Sequence, residues 1–485
     1  MAPPLPPVAL SSVAAALVSD VRGDPTTVVR DATSDSRAVA EASLFFCVPG
    51  ERHDGHLFAG DARSVGAAAL VVERWLPVDL PQIRVPSVRA AMGPMSSVVF
   101  GAPAESLRMV GITGTNGKTT TMHLLDPILR AAGHVTGTIG TTGASVAGEP
   151  VMLERTTPEA PDLHRLLARM RDTGVTAVVM EVSSHALAMQ RVDGVVFDVA
   201  LFTNLSQDHL DFHLTMQAYF AAKAHLFTAA HARRGVVNSD DEWAQRFLTL
   251  PAIPIVTYAV DRPADLRATD VVADRDGIVF RLGDLVVRSR LRGAFNAWNC
   301  LAAIAVAREL GIDDASAARA IANVQGVPGR MEPVEAGQDF LVVVDYAHTP
   351  DSIRSVLGAA RGLTEGRVIV VFGCGGDRDR EKRPLMGQAA TSVADLSIVT
   401  NDNPRSEDPM SIIDAIRPGA RSGGGEFVEE PDRAEAIGLA VRRAEPGDVV
   451  VIAGKGHEAT QSLAGATVPF DDRVVAALAL AEVVA

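Results

Sequence analysis

Cysteine is scarce in this chain: only Cys47, Cys300 and Cys374 occur in 485 residues. They lie far apart and none forms a C-x-x-C pair. That argues against a disulfide framework or a thiolate zinc site, and for a cytoplasmic setting. Long apolar runs are also missing. No stretch approaches the roughly 18 uninterrupted apolar residues of a membrane-spanning helix, so no span is expected. The N-terminus, MAPPLPPVALSSVAAALVSD, is rich in Ala and Val but has no basic n-region, so it does not read as a secretory signal. Its Pro pairs suit a short lead-in to a helix. Positive charge is not in surplus either. The formal net charge is −14, a sign that repels phosphate backbones, so broad nucleic-acid binding is not expected. A small anionic substrate stays compatible where basic residues cluster. The chain has no internal repeat and no long low-complexity segment.

What is present is the composition of a globular protein, 47% hydrophobic and 21% charged. The length exceeds a single core and fits about two to four domains. Three blocks are expected. Residues 1–105 alternate short apolar runs (SLFFCVPG, AAALVVE, QIRVPS) with helical stretches. Residues 106–331 open with LRMVGITG, a buried-strand pattern ending in glycine, and continue through TAVVMEVS, FDVALFTNLS and IPIVTYAV with helical segments between. Residues 332–485 repeat the alternation in DFLVVVDYAH, RVIVVFGCGG, LSIVTND and DVVVIAGKGHE. Strand and helix in alternation predict largely parallel sheets, the last one doubly wound. The polar motifs directly follow the strands, where open α/β sheets bind ligands. A cleft between the second and third blocks is therefore expected.

GITGTNGKTTT, Gly111–Thr121, resembles a phosphate loop but departs from G-x-x-x-x-G-K-[ST]: the position five before Gly117 is Ile112. The spacing is G-x-x-G-K-T, Gly114 to Thr119. Its glycines still free backbone N–H groups to face an anion, and the helix predicted from Lys118 adds its positive end. Lys118 can reach β- and γ-phosphates, and Thr119 can ligate Mg²⁺. Pro127 falls inside that helix and is expected to kink or shorten it. Glu181 ends a strand beside the loop, a common place for an acid that completes a Mg²⁺ site, and Ser183, Ser184 and His185 follow it. FTNLSQDHLDFH carries Asn204, Asp208, His209, Asp211 and His213 after an apolar strand. Some of these cap the loop, and His209 is the expected metal ligand. On spacing alone, Lys223 in YFAAKAHLF reads as a snorkelling surface lysine.

Taken together, GTNGKTTT, EVSSHAL, FTNLSQDHLDFH, YFAAKAHLF, GVPGRME, DYAHTPDS, GCGGDRDREKRPLM, NDNPRSEDP and AGKGHE occur in the order found in the Mur ligases. Over nearly its whole length the chain resembles that family, whose phosphate loop has the short form. The resemblance implies an α/β, three-domain Mur ligase architecture with a central P-loop ATPase domain and a C-terminal Rossmann-like domain. It implies an ATP-dependent amide ligase acting through an acyl phosphate, with UDP-MurNAc-L-Ala-D-Glu and meso-diaminopimelate as substrates, two Mg²⁺ ions, and Lys223 as an N-carbamate, which reverses the spacing-only reading. A monomer is expected.

The implied sites follow motif by motif. Gly114, Thr115, Asn116, Gly117, Lys118, Thr119 and Thr120 hold ATP phosphates. Asn296 contacts adenine, Arg330 a phosphate and Asp345 the ribose. Thr119 and Glu181 serve one metal, and Glu181, His209 and Lys223 the other. Ser36, Thr156, Thr157, Ser183, Arg191 and His348 match precursor-binding positions. Arg378, Asp402, Asn403, Arg405, Gly454 and Glu458 match the diaminopimelate pocket. Glu381 stands where this motif has glycine. Rival readings are a sister ligase that uses L-lysine or extends folyl-polyglutamate, and an ATP-binding switch that ligates nothing.

Overall fold

The computed structural model of the chain describes residues 7–50, 53–249 and 253–484; the Pro-rich lead-in, residues 1–6, lies outside them. Three sheets organise the chain. The first has five strands, in the order Asp20–Arg22, Gln82–Arg84, Ala67–Val72, Ser43–Phe46, Asp31–Thr33. All neighbours in it are parallel except the first pair.

The second sheet has nine strands, and Arg108–Thr113 lies at its centre. This strand pairs in parallel with Ala177–Glu181 on one side and Val199–Phe202 on the other. The register sets Glu181 beside Ile112 and Phe202 beside Thr113. All three strands therefore end together, and their following loops share one edge. These strands are apolar on both faces because helices cover both sides. Val110, Ile112, Val179 and Leu201 are fully or almost fully buried on the face carrying the helices Lys118–Ala131 and Asn296–Glu309.

The third sheet runs Glu332–Pro333, Leu341–Asp345, Val449–Ala453, Val368–Phe372, Leu396–Val399, Glu426–Glu429, parallel after its first antiparallel pair. The last strand in sequence, Val449–Ala453, returns to lie between the two earliest parallel ones. That is a topological switch point, and the carboxyl ends there form a crevice. Local chemistry starts the helices around it. Thr349 caps Pro350–Arg361 with a reciprocal box to Ser352, and Asp408 and Asp432 cap Pro409–Gly423 and Arg433–Arg443. No helix among the described residues is long and apolar enough to cross a membrane.

Several elements differ from the sequence expectations. The second sheet is not parallel throughout: Thr136–Gly140, Gly143–Val146 and Glu149–Val151 form an antiparallel meander at one edge. A separate antiparallel sheet spans Thr269–Asp274, Gly277–Leu282 and Leu285–Ser289, and a hairpin pairs Thr460–Leu463 with Ala466–Pro469. The helix Lys118–Ala131 runs on through Pro127. Leu124, Leu125, Ile128 and Leu129 are all buried around that position. Burying each is worth about 1.5–3 kcal/mol, more in sum than the roughly 3 kcal/mol a helix-interior proline costs.

Candidate active site

The loop after Arg108–Thr113 closes tightly against its neighbours. Gly114 has φ +144°, and a Cβ there would lie 1.9 Å from Thr203 Oγ1. Gly117 has φ +85°, and its Cβ would lie 2.4 Å from Asn299 Oδ1. Only glycine fits either position, so the loop wraps with its backbone facing the cleft. Asn204 fastens it: its Oδ1 accepts from Asn116 N at 2.9 Å, and its carbonyl accepts from Thr115 N at 2.8 Å. Lys118 Nζ lies over the loop and donates to the carbonyls of Gly114 (2.9 Å) and Thr115 (2.7 Å). Burial pulls its pKa down against the raising effect of Glu181 and Asp208.

Beside the loop, Glu181 is fully buried at the end of its strand. Its carboxyl oxygens accept from Thr119 Oγ1 (2.9 Å), Thr141 N (2.9 Å) and Thr141 Oγ1 (3.1 Å). No cationic side chain among the described residues forms a salt bridge with it. A buried carboxyl with only hydroxyl and amide donors is costly unless a cation shares it. No three His, Cys, Asp or Glu side chains among the described residues converge on a metal-sized site. The Glu181 carboxyl fits Mg²⁺, which takes one or two protein oxygens and draws the rest of its shell from phosphates and water.

Lys223 lies beneath the loop, on the helix Met216–Ala224, and is 1% exposed. The snorkelling reading from spacing is therefore wrong: this stretch of helix packs inward, which spacing alone does not show. Lys223 Nζ donates to Gly114 O at 2.8 Å and sits 4.4 Å from the centre of the Tyr219 ring. Burial, reinforced by Lys118, drives its pKa far below the ordinary lysine value. His209 stands in the left-handed region (φ +55°) next to Asp208, with Nε2 3.3 Å from Asp208 Oδ2. Burial lowers its pKa to about 3, so the imidazole is neutral and free to ligate. Burial pushes Asp208 up, but neighbouring positive groups hold it at about 2.

Groups from Arg330 onward reach across the cleft. Arg330 Nη2 donates to Thr119 Oγ1 at 3.0 Å, and its guanidinium lies over the Tyr346 ring. His457 Nε2 donates to the Thr141 carbonyl at 3.0 Å. Asp345 ends its strand with Oδ1 accepting from Ala347 N and Oδ2 from Met331 N, each at 2.8 Å. Farther along the same edge, Arg405 adopts φ +54° and donates from Nη1 to Gly376 O at 2.5 Å. Burial lowers its pKa, and Arg378 adds to that. Asn403 Nδ2 donates to Glu458 Oε2 at 2.8 Å. The Lys455 ammonium, fully buried, donates to Glu458 Oε2 (3.3 Å), Asn403 Oδ1 (3.4 Å) and Thr460 O (2.6 Å).

Many of these groups, though not Lys455 or His457, line one cavity of about 910 Å³ between the second and third sheets. Of the residues singled out from sequence, Thr115 to Thr120, Thr156, Glu181, Ser183, His209, Arg330, Asp345 and His348 line it. So do Arg378, Asp402, Asn403, Arg405, Gly454 and Glu458. Gly114 and Lys223 lie behind the loop. Thr157 supports the wall, donating from Oγ1 to Glu181 O at 2.9 Å, and Arg191 pairs with Glu159 at 3.0 Å. Asn296 turns away: its Nδ2 donates to Arg292 O, and Asn299, held by Asn296, lines the cavity instead. Ser36 sits in the first domain, in the short 3-10 helix Ser36–Ala38, outside this cavity. Sequence reasoning missed Thr141, Lys382, Lys455 and His457. The only available signal for two of them is that the chain has just four lysines, Lys118, Lys223, Lys382 and Lys455.

Known proteins share both the segments and the whole arrangement. Residues 30–97 match the Mur ligase family catalytic domain, residues 112–307 the Mur ligase middle domain, and residues 329–456 the Mur ligase glutamate ligase domain. The UDP-N-acetylmuramoyl-L-alanyl-D-glutamate–2,6-diaminopimelate ligase of Geobacillus thermodenitrificans is 46% identical over 95% of this chain and 96% of its own length. The enzyme of the same name from Streptomyces coelicolor is 46% identical over 97% and 96%. A solved structure of a ligase with this name is 34% identical, with a TM-score of 0.71 over 99% of this chain and 100% of that one. With the phosphate loop, the buried acid beside it and the three domain matches in one order, the chain belongs to the Mur ligase family.

Proposed function

We propose that the chain is an ATP-dependent carbon–nitrogen ligase that joins meso-diaminopimelate to the D-glutamyl carboxylate of UDP-MurNAc-L-Ala-D-Glu in peptidoglycan precursor synthesis, in the cytoplasm. The observation that carries this reading is the cleft itself. A phosphate loop lies on one wall, and a pocket with two arginines (Arg378, Arg405) and two acids (Asp402, Glu458) lies on the other. A switch that only senses ATP has no use for the second wall. Relatives named for diaminopimelate addition, at 46% identity over nearly the full length, support the same acceptor.

The division of labour follows from the residues. In our reading the first domain, with Ser36, holds the uridine end of the precursor. Thr156, Thr157, Ser183, Arg191 and His348 lead its peptide to the phosphate loop. The adenine lies toward Asn296 and Asn299, and the ribose hydroxyls meet Asp345, whose oxygens keep free lone pairs beside their amide donors. The precursor carboxylate attacks the γ-phosphorus, giving an acyl phosphate and ADP. Two anions must meet in line, and Lys118 and Arg330 flank the place where the charge gathers. The acceptor's amine then attacks the acyl carbon, and the tetrahedral intermediate expels phosphate.

Thr119 and Glu181 are the residues that would hold one Mg²⁺, and Glu181, His209 and an N-carbamylated Lys223 the other. Bound there, the ions would neutralise phosphate charge and align the reacting oxygens. Lys223 suits carbamylation because only the neutral amine reacts with CO₂, and burial lowers its pKa toward that form.

The test is phosphate release and product mass with ATP, the precursor and either meso-diaminopimelate or L-lysine. The reading expects release only with all three substrates present and strong preference for diaminopimelate. Release without an acceptor, or equal use of lysine, overturns it.

A further inference from the structure

We infer that the buried Arg433–Asp472 pair is a positioning device for the acceptor amino acid: it fixes the separation of the Asp402 and Gly454 loops and so sets how tightly that substrate is held. This inference rests on the acceptor pocket proposed above.

Both side chains are fully buried. Arg433 opens the helix Arg433–Arg443 and Asp472 opens the helix Asp472–Val484. A cation at a helix start opposes the helix dipole, and burying a guanidinium is expensive. An apolar side chain of similar size would fill the space as well, so packing does not account for the arginine.

Its hydrogen bonds do. Nε and Nη2 grip the two oxygens of Asp472 at 2.8 and 2.7 Å. The remaining donors reach away from that pair: Nη1 donates to Asn401 O at 3.1 Å and Nη2 to Ala453 O at 2.9 Å. Asn401 and Ala453 directly precede Asp402 and Gly454. They follow or end the strands Leu396–Val399 and Val449–Ala453, which are not neighbours, because Val368–Phe372 runs between them. No ladder hydrogen bond can set the distance between these two carbonyls. The guanidinium spans the end of the intervening strand and does so.

The two loops also meet directly. Gly454 has φ +117°, and a Cβ there would lie 2.3 Å from Asp402 Oδ2, so the Asp402 carboxyl lies against the Gly454 backbone. Burial raises the pKa of Asp402, and Arg433 is the foremost charge opposing that rise. The same guanidinium thus places the acid and favours its ionised form.

The experiment uses the full chain with Asp472→Asn, Arg433→Met and Arg433→Lys, and measures kcat and KM separately for diaminopimelate, ATP and the precursor, alongside thermal unfolding. The expected result is a rise in the diaminopimelate KM of about tenfold or more, the scale of one lost charge-assisted hydrogen bond. The other two KM values stay near wild type, and Arg433→Lys recovers part of the loss. If Arg433→Met does not fold, the isosteric Asp472→Asn decides. Three KM values that move together, or none that moves, overturn the inference. A wild type that uses neither diaminopimelate nor lysine overturns the acceptor assignment instead.

Discussion

Replacing Arg405 by Ala is expected to erase the choice between diaminopimelate and lysine. The two amino acids differ at the distal carbon, where diaminopimelate carries a carboxylate beside its ammonium. In the proposed reading Arg405, which lines the cavity, meets that carboxylate. Its backbone holds the left-handed conformation, fastened by its N–H to Ser462 O at 3.0 Å, and one guanidinium nitrogen is committed to Gly376 O. The residue lines the cavity. The side chain is only partly buried, so the lower part of the range for a desolvated charge pair applies, about 2–3 kcal/mol. That corresponds to roughly 30- to 150-fold in kcat/KM for diaminopimelate. Lysine, which offers no carboxylate, should lose little. The assay is kcat/KM for both amino acids in wild type and variant, with thermal unfolding as the control for folding. A variant that keeps the wild-type preference, or a diaminopimelate loss matched by an equal lysine loss, refutes Arg405 as the selector.

Lys118→Ala removes the cation over the transferring phosphoryl group and should lower kcat by about 10² or more without moving the unfolding midpoint; a folded variant with normal turnover would sink that role. Lys223→Ala should cost most of the activity, and formate or acetate should restore part of it by taking the place of a carbamate; full activity in the unrescued variant rejects the carbamate. His164 gives a pH test of stability. It is fully buried, its Nε2 donates to Asp193 O at 3.2 Å, and burial lowers its pKa to about 4. A base whose folded pKa is depressed contributes stability that is fully present above its unfolded pKa, about 6.5, and is lost as pH falls from there towards 4. The total is about 3 kcal/mol. Thermal unfolding between pH 7 and 4.5 should show a smaller acid loss in His164→Gln than in wild type, and equal losses would show that His164 is not responsible.

The parallel strands were legible because both their faces are covered. Val449–Ala453 and Val368–Phe372 are buried at every position, so their apolar runs are unbroken in sequence. Two of the missed strands are largely exposed. Thr269–Asp274 alternates exposed and partly buried positions, and Ala466–Pro469 is exposed throughout, so neither carries a run that stands out from loop composition. The phosphate loop was legible for a different reason. Its glycines answer two positive-φ turns packed against the side chains of Thr203 and Asn299, and a requirement for glycine leaves a fixed spacing behind. The turning of Asn296 away from the cavity left no such trace. Asn296 and Asn299 are one turn apart on the same helix, and only the Arg292 carbonyl decides which of them is tied up.

Lys223 and Arg433 show where a one-dimensional reading stops and what extends it. Both basic side chains are buried, and spacing alone reads Lys223 as a surface group with a buried stem. Composition separates them. Of 45 basic residues only four are lysine, so arginine is this chain's ordinary cation, and a lysine marks a place where guanidinium does not serve. Three of the four are buried and the fourth, Lys118, lies over the phosphate loop. Lys223 sits under a loop carbonyl and gives it a single donor. Lys455 puts three donors on three oxygens around a point, a task for a tetrahedral ammonium. Arg433 instead spans two strand ends and a carboxylate, which needs the width of a fork. The choice between the two cations follows the shape of what each must hold.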